Sequence, residues 1–276
     1  MICSDFLSFD EMAGRHGIFH EKLLLDKRLI FGYHQDIITE DKNDKRLKLL
    51  DSETALTLQN ILKSEAEDIL FKIFPKTKHI SSIRQRLVLK KILTIISLKI
   101  GQEISYSKIA EKVNANDKTV SRYLTLLEEA NVVFRLGTFS NGFSHERSHT
   151  SKFYFFDCGI RNALIDNFNA IERRNDWDAL WENFVIAERI KYKRRRRVRA
   201  AHFYWKTFNR QQVPLIEEKQ GLINAYLLSW SEKPKFTVQF PDSFKRNYPE
   251  AYYQVLQPRN IERFVARKSL PYEIWG

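Results

Sequence analysis

The segment HERSH, which runs from His145 to His149, matches the H-E-x-x-H motif of zinc proteases. That motif binds zinc when both histidines lie on one face of a helix that also carries the glutamate as general base. Here the helix-breaking residues SNG precede the segment and the strand-like KFYFF follows it. We therefore expect a chance match, and we interpret His145, Arg147, His149 and Lys152 as phosphate or solvent contacts on a loop.

Residues 103–139 carry the signals of two short helices joined by a tight turn. Ser105 is placed to cap the first helix and Asp117 the second, with the turn NAN between them. Apolar residues recur at helical spacing on one face of each predicted helix: Ile109, Ala110 and Val113, then Val120, Leu124 and Leu127. The strand-like VVFRLGTF and KFYFF follow, so the segment predicts a winged helix-turn-helix.

The second helix of such a module inserts exposed residues near its N-terminus into the major groove of DNA. We expect Lys118, Ser121 and Arg122 to contact nucleic acid, with Thr119 and Thr125 as neighbours and Arg122 as the reader of bases. The same fold also connects domains or pairs with proteins, so a protein partner stays open as the alternative.

The segment KYKRRRRVR, residues 191–199, places seven positive charges in nine positions. Such a density repels itself unless water or phosphates surround it. A nucleic-acid contact through Arg194, Arg195, Arg196 and Arg197 is one interpretation, and a solvated loop between a helix and a strand is the other.

The composition favours a polyanionic partner but does not indicate which kind. Lys and Arg number 46 against 34 Asp and Glu, a net charge of +12, in a chain of 276 residues. Nucleic acid or an acidic membrane surface would both suit that balance. The most apolar stretch, LVLKKILTIISLKI, is interrupted by lysines and is shorter than the about 20 residues that span a bilayer. With Cys3 far from Cys158 and no CxxC, we expect a soluble cytoplasmic protein with no disulfide and no zinc.

Several motifs together resemble the C-terminal half of a large prokaryotic family of AAA-type ATP-binding proteins. They are SFDEM, RLIFGY, YSKIAEKV, VFRLGTFS, FYFFDCGIRNALI, ALWENFVIAERIKYKRR, FYWKT, VPLIEE, FPDSF and RNIERFV, in that order. The resemblance implies an α+β chain in three parts. Residues 1–75 would be a helical remnant of the ATPase lid and linker, 76–158 a winged helix-turn-helix, and 159–276 an α/β domain similar to restriction endonucleases.

The ATPase of that family requires a Gly-rich phosphate loop that ends in Gly-Lys-Ser/Thr. No Gly-Lys pair occurs in this sequence, and its nine glycines are scattered. The resemblance also places Met1 where the last strand of the ATPase would end. We therefore expect no nucleotide or other cofactor to bind this chain alone.

The nuclease-like domain of the family implies a metal site on one helix and two adjacent strands. Carboxylates there would hold Mg²⁺, and a lysine beside them would orient water. In this sequence WENF keeps Glu182, but Pro214, Leu227 and Ser229 stand where the resemblance implies Asp, Glu and Lys. One ligand cannot hold a hard divalent cation, so we expect no catalytic residue and no bound metal.

The stretch QQVPLIEEKQGLINAYLLSW, residues 211–230, predicts a hairpin of two short strands joined by a Gly-centred turn. Glu217 and Glu218 are acidic, but we interpret them as a solvated strand end. Pro214 removes a hydrogen-bond donor from its strand, so we expect it on an edge strand or at a bulge.

The sequence thus predicts a non-catalytic nucleic-acid-binding or scaffolding fragment. The alternative is an ATPase-family subunit whose nucleotide site comes from another chain or an upstream segment.

Overall fold

The computed structural model describes residues 7–33, 59–60, 63–64, 66–68, 83–140, 150–231 and 238–266. It is a mixed α+β structure, as the sequence predicted at that level. The α-helices that lie wholly within these ranges are α1 (Phe9–His16), α2 (Ile18–Leu23), α3 (Leu25–Phe31), α4 (Ile83–Leu98), α5 (Tyr106–Val113), α6 (Asp117–Glu129), α7 (Cys158–Leu164), α8 (Trp177–Arg195), α9 (Asp242–Asn247) and α10 (Glu262–Val265). In the described ranges, no helix is both long and apolar enough to cross a membrane.

Seven strands in these ranges form one mixed sheet. They are β1 (Glu103–Ser105), β2 (Val133–Thr138), β3 (Thr150–Phe155), β4 (Ala201–Lys206), β5 (Gln212–Lys219), β6 (Leu222–Leu228) and β7 (Tyr252–Leu256). The hydrogen-bonded order is β1-β3-β2-β4-β5-β6-β7. The pairs β4/β5 and β5/β6 are antiparallel, whereas β2/β4 and β6/β7 are parallel. The predicted hairpin of residues 211–230 is confirmed as β5 and β6, joined at Gln220 and Gly221.

The chain divides into two compact units. One contains the described residues of Met1–Leu7, Leu24–Arg135 and Lys152–Asn175. The other contains those of Ser8–Leu23, Leu136–Ser151 and Asp176–Gly276. The boundaries at residues 75 and 158 stay predictions.

In the first unit, the motifs RLIFGY and FDCGIRN contact each other. The buried Asp157 carboxylate accepts hydrogen bonds from the Tyr33 backbone N–H at 2.7 Å and from the Ile160 N–H at 3.1 Å, so it caps α7. Asn162 donates to the carbonyls of Leu29 and Ile30 at 2.9 and 2.8 Å. These bonds satisfy the backbone groups left open at the end of α3 and the start of α7, which gives the motif a structural role.

Gly159 allows α3 and α7 to approach closely, and replacing it tests that contact. A Cβ at Gly159 would lie 2.2 Å from the Phe31 carbonyl oxygen, a backbone atom that cannot swing away. We expect Gly159→Ala to destabilise the fold by roughly 1–3 kcal/mol. At Gly14 in α1 no atom lies within 4 Å of the same added carbon. There the same change should stabilise by about 0.4–1 kcal/mol, and equal urea midpoints for the two variants would contradict the contact.

In the second unit, the two faces of the sheet have different characters. Side chains alternate between faces along a strand. Ile216, Ala225 and Leu227 pack in an apolar cluster with Phe244 of α9. The intervening Glu217 and Tyr226 lie on the opposite face, where Glu217 meets α8. In β4, the aromatic side chains of Tyr204 and Trp205 are buried.

Candidate nucleic-acid interface

Capping side chains begin both helices of the predicted helix pair. Ser105 caps α5, because its Oγ accepts a hydrogen bond from the Lys108 N–H at 3.3 Å, as predicted. The cap of α6 is Asn116, whose Oδ1 accepts from the Thr119 N–H at 2.8 Å. The expected cap, Asp117, is wrong by one residue, since Asp117 is already the first residue of the helix. Both residue types favour this position, so the pattern did not separate them.

Helix α6 has one buried and one exposed face. Val120, Tyr123, Leu124 and Leu127 are buried, at the spacing i, i+3, i+4 and i+7. Lys118 and Arg122, one turn apart, are exposed together with Thr125, and Ser121 is half-buried. The residues expected to contact nucleic acid therefore lie side by side on the outer face of α6.

Strands β1, β3 and β2 are neighbours in that order beside this helix pair. In β2, Arg135 donates through Nη1 to the Tyr106 hydroxyl at 2.8 Å and lies 3.3 Å from the Glu128 carboxylate, which links the strand to α5 and α6. Lys152 is buried in β3, so its interpretation as a loop contact is wrong. The rest of that interpretation, with HERSH, lies outside the described residues.

The basic run is partly neutralised by the protein itself. It forms the end of α8, where three of its cations meet carboxylates. The pairs are Lys191 with Glu188 at 2.7 Å, Lys193 with Glu217 at 3.7 Å, and Arg195 with Asp10 at 3.2 Å. Glu188 also accepts the N–H of Phe9 at 2.7 Å, at the first residue of α1. These contacts give Lys191, Lys193 and Arg195 structural partners without phosphate.

The remaining arginines of the run lie at the helix terminus. Arg194, Arg196 and Arg197 are exposed there, and so is Arg199 just beyond it. The Arg196 guanidinium lies 5.2 Å from the centroid of the Tyr192 ring. Arg197 has a left-handed backbone with φ 56°, and the next N–H closes the helix on the Lys193 carbonyl at 3.0 Å. The outward-facing charge is therefore concentrated where α8 ends.

A buried ionic cluster lies between α8 and the sheet, and it corrects the interpretation of Glu217 as solvated. Arg189 holds both carboxylate oxygens of the fully buried Glu217, at 2.8 and 2.9 Å. His202 of β4 lies 3.2 Å from this carboxylate, and the Tyr226 hydroxyl of β6 donates to it at 3.3 Å. Burial alone would raise the pKa of Glu217, but the charge of Arg189 and the contacts with Arg189 and His202 hold it well below its usual range. Lys193 adds a further positive charge.

Arg189 is also held from a second side. Its Nη1 donates to the Phe264 carbonyl at 2.6 Å, and its guanidinium carbon lies 4.2 Å from the centroid of the Phe264 ring. The cluster thus joins α8, the sheet and α10. Neighbouring side chains already contact both Glu217 carboxylate oxygens. We therefore interpret the ionic cluster as a structural contact between these elements.

The residues at the expected nuclease positions have structural roles. Pro214 lies in an interior strand at a bulge, between the pairs Phe203/Ile216 and Trp205/Val213, which confirms the bulge and excludes the edge. Ser229 donates its N–H to the Leu256 carbonyl at 2.9 Å and its hydroxyl to the Ser231 carbonyl at 3.1 Å.

The two other positions belong to different surfaces. Leu227 belongs to the apolar cluster on the α9 side of the sheet. Glu182 is half-buried on α8, which meets the opposite face. Within the part of the chain that the structure describes, no three His, Cys, Asp or Glu side chains group as metal ligands.

Sequence reasoning missed the Arg189–Glu217 pair although both residues carried a signal. Glu217 ends the apolar run VPLI, and Arg189 interrupts the apolar helix segment FVIAERI. A charged residue inside a buried pattern usually requires a charged partner.

Comparison with known protein families supplies an affiliation. A family model described as "Domain of unknown function (DUF8612)" matches residues 25–170, which is more than half of the chain. The chain belongs to this family. The DUF8612 region extends from α3 through α7, so it contains both the Asp157 contacts and the exposed face of α6.

Two curated mycobacterial proteins resemble the chain. They are uncharacterized protein Rv2008c of Mycobacterium tuberculosis and uncharacterized protein Mb2031c of Mycobacterium bovis, each 26% identical over 151 residues. The match covers 54% of this chain and 33% of each relative. The chain thus spans about a third of the length of these relatives. No solved structure gives a significant match.

Proposed function

We propose that this chain binds duplex nucleic acid, with DNA as the first candidate, and does not cleave it. The observation that carries the proposal is the outer face of α6, where Lys118 and Arg122 are exposed one turn apart while the opposite face is buried. A helix anchored by its apolar face and presenting cations with polar groups suits the major groove. The net charge of +12 favours the same partner.

We further propose that α5, α6 and the strands β1, β3 and β2 form a winged helix. The strand order and the link from Arg135 to both helices support this assignment. The proposal extends to the resemblance to AAA-type ATP-binding proteins, of which this chain would be the part after the ATPase core.

The non-catalytic part of the proposal concerns the second unit. A helix, α8, precedes the adjacent strands β5 and β6, which supports a restriction-endonuclease-like fold. Pro214 at the bulge and Leu227 in the core occupy the positions of two missing metal ligands. The hydrogen-bonded Ser229 occupies the position of the missing lysine. We propose that this domain retains the fold as a scaffold.

A titration of labelled duplex DNA at low salt, followed by fluorescence anisotropy, tests the proposal. We expect Arg122→Ala to weaken binding by about tenfold, because a guanidinium contact to a base edge contributes about 1–3 kcal/mol. Lys118→Ala should weaken it less. Lys91→Ala is the matched control, since it removes an exposed cation from α4 of the same unit.

Equal binding by the Arg122→Ala and Lys91→Ala variants would contradict the proposed interface. The same samples, incubated with Mg²⁺ or Mn²⁺ and run on a denaturing gel, should contain intact DNA. Cleavage that disappears in a Glu182→Ala variant would contradict the proposed lack of catalysis. Capture of a protein partner without any binding of DNA would favour the scaffolding alternative.

A further inference from the structure

The connection between β4 and β5 presents an aromatic ring to solvent. Phe208 lies at its tip, and its side chain is fully exposed. Burying an exposed phenylalanine contributes about 1.5–3 kcal/mol of apolar transfer free energy. The described fold leaves this ring in water, although many other aromatic side chains of the same unit are buried.

The tip is held in place by hydrogen bonds. The Thr207 N–H donates to the Gln211 carbonyl at 2.9 Å, and the Gln211 N–H donates to Thr207 Oγ1 at 3.2 Å. The Arg210 N–H donates to the Thr207 carbonyl at 3.1 Å, and Arg210 has a left-handed backbone with φ 63°. Ser243 of α9 donates to Gln211 Oε1 at 2.6 Å. The backbone that carries Phe208 is therefore ordered before any partner arrives, which lowers the entropy cost of a contact.

The segments next to this ring carry exposed cations. The tip segment 206–212 and the helix α9 beside it carry the exposed cations Lys206, Arg210, Lys245 and Arg246. The carboxylate in these two segments, Asp242, lies 3.6 Å from Lys245. An exposed aromatic ring among cations is the combination that binds single-stranded nucleic acid, since bases stack on the ring and phosphates meet the cations.

We propose that this hairpin tip, residues 206–212, together with α9, binds single-stranded nucleic acid, with Phe208 stacked on an unpaired base. The surface belongs to the second unit, and it shares no residue with the duplex interface proposed on α6. Each proposal can therefore fail without the other.

The test is a titration of fluorescein-labelled oligothymidylate with the full chain, followed by anisotropy. Phe208→Ala should weaken binding by about tenfold, because a stacked base contributes about 1–3 kcal/mol. Phe208→Trp should retain the affinity, and its tryptophan emission should be quenched on binding beyond that of the parent chain. Arg210→Ala should reduce the dependence of affinity on salt.

Two controls separate this tip from general effects. Leu222→Ala removes another exposed apolar side chain, beside the turn at the other end of β5, and should leave the affinity unchanged. Lys91→Ala, which removes an exposed cation from α4, should also bind the oligonucleotide as the parent does. Equal affinity of the parent and Phe208→Ala would overturn the proposal. Phe208-dependent binding to phosphatidylserine vesicles without binding to the oligonucleotide would overturn it too.

Discussion

Replacing Glu217 by alanine is expected to lower the free energy of unfolding by about 3–5 kcal/mol. The substitution removes the carboxylate that holds the buried Arg189 guanidinium and that also lies near the buried Lys193. Removing one partner of a buried pair is costly because the other charge stays out of water. Urea denaturation followed by tryptophan fluorescence would measure the loss.

The neighbouring Glu218 offers a matched control. Its half-exposed side chain accepts a hydrogen bond from the Gly221 N–H at 2.8 Å and contacts the turn. Glu218→Ala should cost about 0.5–1.5 kcal/mol, the usual net value of such a bond. The double change Glu217→Leu/Arg189→Met should recover much of the loss, because the charge is removed together with its partner. Equal effects of the two glutamate substitutions would contradict the buried cluster.

The same cluster predicts a pH dependence. The pKa of Glu217 is held well below 4.5 in the folded chain, whereas an unfolded glutamate titrates at about 4.3. Its contribution to stability is therefore complete above the unfolded pKa and is lost as pH falls through the folded pKa. Between pH 6 and about 3, the free energy of unfolding should fall more steeply with decreasing pH for the parent than for Glu217→Gln, whose side chain cannot titrate. Parallel curves would contradict this account.

Restoring the missing acidic residue, by Leu227→Glu, is expected to destabilise the protein by about 3 kcal/mol or more. Leu227 lies in the apolar cluster with Trp205 and Phe244, and nothing in that cluster would pair with a carboxylate. The side chain also lies on the face of the sheet opposite to α8, which carries Glu182. The change therefore removes core packing and adds a buried charge without assembling a metal site.

Two companion substitutions make that result specific. Leu227→Met conserves volume and should cost less than about 1.5 kcal/mol. Leu222→Glu makes the identical chemical change at an exposed position of the same strand and should have little effect. A Leu227→Glu variant that melts like the parent and gains stability with added Mn²⁺ would show that a metal site had been restored.

Local patterns in the sequence were sufficient for some elements. The caps and apolar spacing of residues 105–127 predicted α5 and α6, because such signals act within one or two turns of a helix. The hairpin of β5 and β6 followed from its Gly-containing turn, and the bulge from Pro214. The mixed α+β class followed from the resemblance to a known family, not from these local patterns.

Contacts between distant segments could not be predicted in the same way. Arg195 and Asp10 are 185 positions apart, and Glu188 meets the N–H of Phe9 across 179 positions. From the sequence, a run of arginines predicts exposed positive charge. Which of these charges are paired depends on carboxylates from distant segments, which the sequence does not place. Glu217 was assigned to solvent because it lies toward the turn of the hairpin, whereas its burial depends on α8 and α10, which pack over it.

The measurement that most directly tests the account is the salt dependence of duplex binding by the parent and the Lys118→Ala/Arg122→Ala variant. Each phosphate contact contributes about 0.9 to the slope of log affinity against log salt concentration. We predict a clear negative slope for the parent, with both the affinity and the slope reduced in the variant. Identical slopes and affinities, or no binding by the parent at low salt, would contradict the proposal that α6 contacts DNA.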